Sequence, residues 1–430
     1  MRVSKRTIKG IAAALCGLTV LLSFAGCNAA SILSDKDDLL KDYEKSATVE
    51  IYNFTSGEAA APENYQKYTE NLTDFSLRLL LSSLKEGENQ SVSSLACAHT
   101  LSLLLNATGS STATELKRLI AKNLDLNTLN LCSYYQNSRL TAFNTDTEGY
   151  FEEAALWFND SFSVKATYLQ TVKNYYNSHL VRKVLSDSDT AGKINALTSE
   201  STKGGISEIV SEPLADTTVL AISAAYLKDS WVTPYTSDRL SEGIFKGTEG
   251  EETASFMTSN ERYISSDFAE GFIKSLKNTP VKFAAIMPKG DENIEEFIST
   301  LSYSRLYSLL MEGSATSFCT ATVPEFEVSS TLDIDGILKG LGIEKAYSKE
   351  SANFSSLSTM SGISLSDFRE GSKIAITPAG TEKADTVGEP DAKFSETENK
   401  LVFDKPFMFV FFDNESGAPL IMGVINNTKN

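Results

Sequence analysis

The chain has 430 residues, 41% of them hydrophobic and 22% charged, which is enough apolar material for one large domain or two small ones. Its formal charge of −17 repels nucleic acid and anionic membrane and speeds encounter with cationic proteins, simple solubility being the plainer reading. Two histidines, His99 and His179, and five cysteines without ligand spacing exclude an HExxH centre, leave little scope for a zinc site and fall short of a disulfide framework.

The amino end carries Arg2, Lys5, Arg6 and Lys9, then an apolar stretch from Ile11 to Phe24, a signal-peptide pattern too short to favour a transmembrane helix. It closes on Phe24, Ala25, Gly26 and Cys27, which resembles the bacterial lipobox, whose cysteine becomes the lipidated first residue of the mature protein. An ordinary secretory signal cut near the same place is the alternative. Both put the mature protein outside the cytoplasm, the first as a lipoprotein on the extracellular face. Residues 1–27 are therefore set aside from the fold. Removal of the four basic residues leaves 35 against 56 acidic ones, a formal charge of −21. Residues 28–63 are rich in Asp, Lys, Ser and Ala with no sustained periodicity beyond a short helical pattern at Leu39 to Tyr43. They are expected to form a flexible tether reaching about 30 Å.

From residue 64 to 430 there is no internal repeat and no second linker, so one mixed domain is expected. Leu72, Phe75 and Leu79, widened by Leu80, Leu81 and Leu84, give a helix with a broad apolar face. Ser82 and Lys85 match one fragment of a penicillin-binding signature without its companions and read as the polar end of that helix. No G-x-S-x-G elbow is present to hold a serine nucleophile. His99 lies in an apolar helical stretch and reads as packed and hydrogen-bonded. Thr112 and Glu115 are spaced as a capping box ahead of Leu116, Leu119 and Ile120. The small and β-branched residues from Thr218 onward read as a long strand ending in a turn near Tyr235. Phe245, the stretch 254–259 and Val281 to Gly290 read as strands of a second sheet. Ile337, Leu338 and Leu341 form a helical stripe stopped at Gly342.

Near the carboxyl end, Ile374 to Thr377 reads as a strand, and Phe407 to Phe412 as a second one buried on both faces. Between them lies a polar segment of roughly two dozen residues, which between two core strands reads as a tethered functional loop. Gly380, Thr381 and Glu382, then this loop, then Phe403 to Phe407, then Gly417 to Gly423, resemble the reactive-centre loop and carboxy-terminal strands of the serpin family. The resemblance extends over nearly all of 71–428. Residues 89–109 resemble the strand and helix at the shutter beneath the central sheet. Asn195 with Thr202, Gly204 and Ile206 resembles an N-x-x-T-x-G-x-I signature, and Pro324, Phe326, Ser329 and Phe354 fit a further stretch.

The resemblance implies an α+β fold with a large central, mostly antiparallel sheet, two further sheets, a helical bundle on one side and an exposed reactive loop over about 380–402. It implies a non-enzyme that needs no metal or cofactor, acts as a monomer and meets a serine protease, with an acidic surface suited to a cationic one. Cleavage of the loop forms an acyl-enzyme, and insertion of the freed strand into the central sheet races deacylation. The shutter and breach positions fall on Ser93, Ser223, Trp231 and Glu370, with Ala96 in place of a second serine, Ser223 in place of an asparagine and Glu370 in place of a histidine. Counting from Gly380 puts the reactive bond between Phe394 and Ser395. Counting back from Phe403 puts it between Ser395 and Glu396, and a slip the other way selects Lys393. The hinge runs over Gly380, Thr381, Glu382, Lys383, Ala384, Asp385, Thr386 and Val387. Strand alternation sends Lys383 and Asp385 inward with Thr381, where inhibitory members carry small residues, and Pro390 interrupts farther along. The charged hinge keeps open the alternative of a non-inhibitory serpin-fold protein, a cleavable sensor or binding protein.

Overall fold

The computed structural model describes residues 32–428 except 50–51, 55–58, 212–213, 215–216, 313–316 and 383–394. Leu72, Phe75, Leu79 and Leu80 recur at helical spacing and are buried, and the helix they define, α1 (Tyr65–Ser83), forms one wall of the core. There follow β1 (Gln90–Val92), α2 (Ser94–Ala107), α3 (Ser110–Ile120), α4 (Leu126–Thr141), β2 (Gly149–Phe158), α5 (Ala166–Tyr175), β3 (His179–Arg182) and α6 (Thr190–Ser201). Strands then dominate: β4 (Val219–Lys228), β5 (Leu240–Gly247), β6 (Gly250–Ser265), β7 (Ala269–Ser275) and β8 (Val281–Pro288). Two short helices, α7 (Ile294–Ser299) and α8 (Tyr303–Tyr307), precede β9 (Phe318–Pro324) and β10 (Phe326–Asp333). The chain closes with α9 (Asp335–Gly340), β11 (Leu365–Ile376), β12 (Asn399–Val402), β13 (Phe407–Asp413) and β14 (Pro419–Ile425).

The described strands build two hydrogen-bonded sheets. One has five strands in the order β10-β11-β4-β2-β3, with antiparallel joints β10–β11 and β4–β2 and parallel joints β11–β4 and β2–β3. The other has nine, running β1-β14-β13-β8-β7-β6-β9-β12 with β5 paired to β6. The two further sheets expected from the sequence are thus joined into one path, because β6 is long enough to pair with β5, β7 and β9. β4, all small or apolar but for Ser223 and Lys228, is buried from Val219 to Leu227 and serves both faces, as continuous apolar runs do. Helix α2, buried throughout, lies against β2, β4 and β14 and so connects the two sheets.

Several local expectations change. Thr112 does not cap a helix, since α3 already begins at Ser110; its hydroxyl accepts from the Asn353 amide at 3.0 Å, and Glu115 accepts from the amides of Glu344 and Lys345. A capping box occurs instead at Asn293 and Glu296. The flexible tether is also corrected for its described part: Leu33 and Leu40 are buried, Asp38 bridges Val181 on the edge strand β3, and the Ser46 amide donates to Asn174. Two leucines in a polar stretch give no periodic signal, yet a free sheet edge is satisfied by any extended segment that reaches it. Cys97, Cys132 and Cys319 are buried and unpaired. His99 is packed as expected, its Nδ1 2.8 Å from Glu152 Oε1.

Candidate functional site

The parallel joint between β11 and β4 is a seam through the middle of the five-stranded sheet, and Ser93, Ser223, Glu370, Trp231, Gly380 and Thr381 lie at or beside it. The pairing runs from Leu365 and Val219 at the lower end to Lys373 and Tyr226, and stops there. Above that point β4 continues to Lys228 with one edge unpaired by β11. The chain leaving β11 turns back to fill it. Thr377 N–H donates to Gly380 O at 3.0 Å, and Gly380 forms an antiparallel bridge with Ser230. Thr381, fully buried, donates its amide to Asp229 O and its hydroxyl to Leu227 O, both at 2.9 Å, and accepts from the Asp229 amide at 2.9 Å. The hinge residue Thr381 therefore already occupies the mouth of the seam. Glycine is required just before it, because a Cβ on Gly380 would stand 2.2 Å from Asp229 O.

Two arrangements hold this mouth in shape. Trp231, buried, donates its indole N–H to Thr377 O at 2.9 Å and its amide to Ala379 O at 3.0 Å. Asp229, unremarked in the sequence, accepts through its carboxylate from the amides of Ser230, Asn278 and Thr279 and from the Thr279 hydroxyl. Outside the seam, Glu382 pairs with Lys228 at 2.6 Å. Hinge residues Lys383, Ala384, Asp385, Thr386 and Val387, and Lys393 and Phe394 of the reactive bond, lie outside the described residues, as does Cys27.

Halfway down the seam, Glu370 stands opposite Ser223. Its Oε1 accepts from the Ser93 amide at 2.6 Å and from the Ser93 hydroxyl, which also lies 3.5 Å from Ser223 Oγ. Its Oε2 has no partner among the described residues. Burial pushes the Glu370 carboxyl up to about 7, against the opposing pull of the two Ser93 hydrogen bonds. Ser93, Ser223 and Glu370 thus meet at the seam, and Trp231 lies at its mouth. A second polar group, not anticipated, lies beside them: Ser91 Oγ is 2.8 Å from Ser372 Oγ, and Gln90 donates to Ser330 at 2.8 Å. Alternation along β11 offers a signal for it, since Glu370 and Ser372 must share a face.

On the far side of the loop, Ser395 and Glu396 are exposed. Ser395 O accepts from Asn260 Nδ2 at 2.8 Å, the Thr397 amide donates to Thr320 Oγ1 at 2.8 Å, and Glu396 pairs with Lys400. β12 then runs parallel to β9, with Leu401 and Phe403 buried. Neither Asn260 nor Thr320 stood out in the sequence, since each is a polar residue on a strand whose partner is set only by the fold. Elsewhere, Asp333, Asp335 and Asp367 bring carboxylate oxygens within 4.8 Å of one another, but Arg369 pairs with Asp333 at 2.8 Å and Asp367 at 2.6 Å and supplies the positive charge.

Comparison with known proteins bears on this arrangement. The family model described as serpin (serine protease inhibitor) matches residues 70–428. An uncharacterized serpin-like protein of Methanosarcina mazei is 24% identical over 283 residues, which span 63% of this chain and 66% of the relative. The chain thus spans just under two thirds of that relative's length. Among solved structures, the thermophilic serpin tengpin in its native state superposes with a TM-score of 0.82 at 24% identity, covering 91% of this chain and 99% of that one. Human thyroxine-binding globulin, complexed with its hormone, gives 0.77 at 20% identity over 85% of this chain and all of its own.

Proposed function

Since this chain belongs to the serpin family, we propose that it is an inhibitor of serine proteases that acts outside the cell as a suicide substrate. The observation that carries the reading is the seat of Thr381. The loop starts from a residue already inside the mouth of the seam and ends on a carbonyl tied to the nine-stranded sheet, so cutting between the two frees only the hinge side to move. Continued downward, that side would run antiparallel to both β4 and β11. One parallel joint would become two antiparallel ones, each slightly more stable per residue. The protease, held as an acyl-enzyme through the loop, would be carried along before water completes hydrolysis. The chain itself is consumed and does no catalysis.

The reactive bond that fits this reading is Phe394–Ser395, since Ser395 is exposed and its carbonyl is anchored, leaving the amine product on the sheet. Phenylalanine suits chymotrypsin-like and subtilisin-like pockets; a bond one residue later suits elastase-like ones. Cys27 is read as a lipid anchor that keeps the monomeric inhibitor at the extracellular face, where its acidic surface favours cationic proteases. No described helix is long and apolar enough to cross a membrane.

A second reading, a non-inhibitory cleavable sensor or binding protein, is favoured by the hinge. Seated with Thr381 inward, alternation brings Lys383 and Asp385 into the sheet next, at a cost of several kcal/mol for each unpaired charge. The two readings part in one experiment. The protein is incubated with chymotrypsin, elastase, subtilisin and trypsin, followed by denaturing gels and sequencing of the released carboxy-terminal fragment. Inhibition gives a gel-stable adduct and a fragment beginning at Ser395. Clean cleavage without adduct, recovered as adduct in Lys383→Ala/Asp385→Ala, makes the hinge charges the cause; cleavage in both supports the sensor.

A further inference from the structure

The segment that docks on the edge of the five-stranded sheet has a fixed direction along the body. β2 and β3 are parallel, and β2 runs from Gly149, opposite Lys228 at the hinge end, to Phe158, opposite Val219. The end of β3 at Arg182 is therefore at the lower pole, away from the loop. The docked segment climbs from that pole: the Arg182 amide donates to Asp37 O at 2.8 Å, and two residues later the Leu39 amide donates to Leu180 O at 2.9 Å. Before this pairing in the chain, Leu33 is 5% exposed and belongs to the buried cluster that also holds Trp157, Leu185 and Ile194. Higher up, Leu40 enters the main core, and the Gln170 side chain donates to Glu44 O at 2.8 Å. Asp37 pairs with Lys183 at 3.4 Å.

Leu33 stands six residues after Cys27. A chain of that length spans at most about 20 Å. The nine steps of β4 from Val219 to Lys228 already cover about 30 Å, and the hinge lies beyond them. We propose that this docked strap orients the anchored protein, holding its lower pole close to the lipid surface and presenting the reactive loop away from it. The inference rests on the reading of Cys27 as the anchor. An undocked stretch of the same residues would let the body stand off and turn either pole toward the bilayer. The acidic body adds no attraction to an anionic bilayer, so the strap carries the orientation.

Both parts are testable separately. For the orientation, the mature chain from Cys27 is coupled through that thiol to a maleimide phospholipid in vesicles carrying an acceptor dye on a second lipid. Cys97, Cys132 and Cys319 are buried and do not compete. A donor dye on a genetically encoded azide replaces exposed Asp187 near the lower pole or exposed Val232 beside the hinge. Energy transfer several-fold stronger from position 187 than from 232 is expected, and the difference collapses in Leu33→Asp/Leu40→Asp, whose retained cooperative melting verifies a folded body. Equal transfer from the two positions in the unaltered strap overturns the orientation. For the anchor, expressing cells are fed labelled fatty acid; label in the wild type and none in Cys27→Ala is expected, and no label in either overturns the anchoring whatever the vesicles report.

Discussion

The two sheets of this protein are built to different rules. The nine-stranded sheet is joined by antiparallel pairs everywhere except at β12, and its interior is an aromatic chain in which Phe283 lies 5.9 Å from Phe272 and 5.3 Å from Phe411, ring to ring. The five-stranded sheet has a parallel joint at its centre, and beneath that joint lie hydroxyls and a carboxyl, not rings. Apolar packing gains from every contact and has no alternative partner. A polar seam can exchange partners, so it can open. On the proposed mechanism, the difference separates the part of the molecule that holds its shape from the part that would accept a new strand.

The contrast can be broken from either side. Phe283→Ala, which empties the middle of the aromatic chain, is expected to cost about 3–5 kcal/mol in chemical unfolding, the largest effect of any change considered. On the seam the sign reverses. Glu370 has its carboxyl raised to about 7 from an ordinary 4.5, so the folded state holds a proton the unfolded state has released, and stability falls as pH rises between those values. Glu370→Gln is therefore expected to stabilise the protein by on the order of 3 kcal/mol above pH 7, with the gain shrinking to nothing below pH 4.5, as read from melting curves across that range. A destabilised variant at pH 8 would show that the seam depends on the charge.

Smaller effects refine the mouth and the far anchor. Thr381→Val keeps the shape but strands the Asp229 amide, at about 1–3 kcal/mol in thermal unfolding. Asn260→Ala, on an exposed side chain, is expected to change stability by less than about 0.5 kcal/mol while raising the rate of loop cleavage by chymotrypsin. Unchanged cleavage would mean that Thr320 alone keeps the far side of the loop in register.

Much of this was legible in the sequence because collinear motifs mark it: the Gly380-Thr381-Glu382 triplet, the tryptophan at 231 and the apolar strand at 407. Ser93, Ser223 and Glu370 could be picked out by their positions in the resemblance, but their contacts with one another could not. What could not be read is pairing between residues distant in the chain with no repeating pattern. Asp229 and Thr279, or Asn260 and Ser395, meet only because strands from different parts of the chain are brought side by side. The strap was missed for a related reason: its two leucines match no period, and their burial depends on the free edge of β3. Thr112 and Glu115 failed differently, since correct spacing was present but the helix began earlier and both side chains served a neighbouring loop instead.

The three cysteines of the body have a consequence for where such a protein can work. Each is buried and unpaired, and burial pushes the thiols of Cys132 and Cys319 up to about 12 and that of Cys97 well above its usual range. Thiolate is the form that oxidises and exchanges, and at neutral pH these residues hold almost none of it. These three thiols are therefore not poised to answer to the redox state of their surroundings. If the protein is exported as proposed, these three thiols stay out of disulfide exchange in an anaerobic setting as in air.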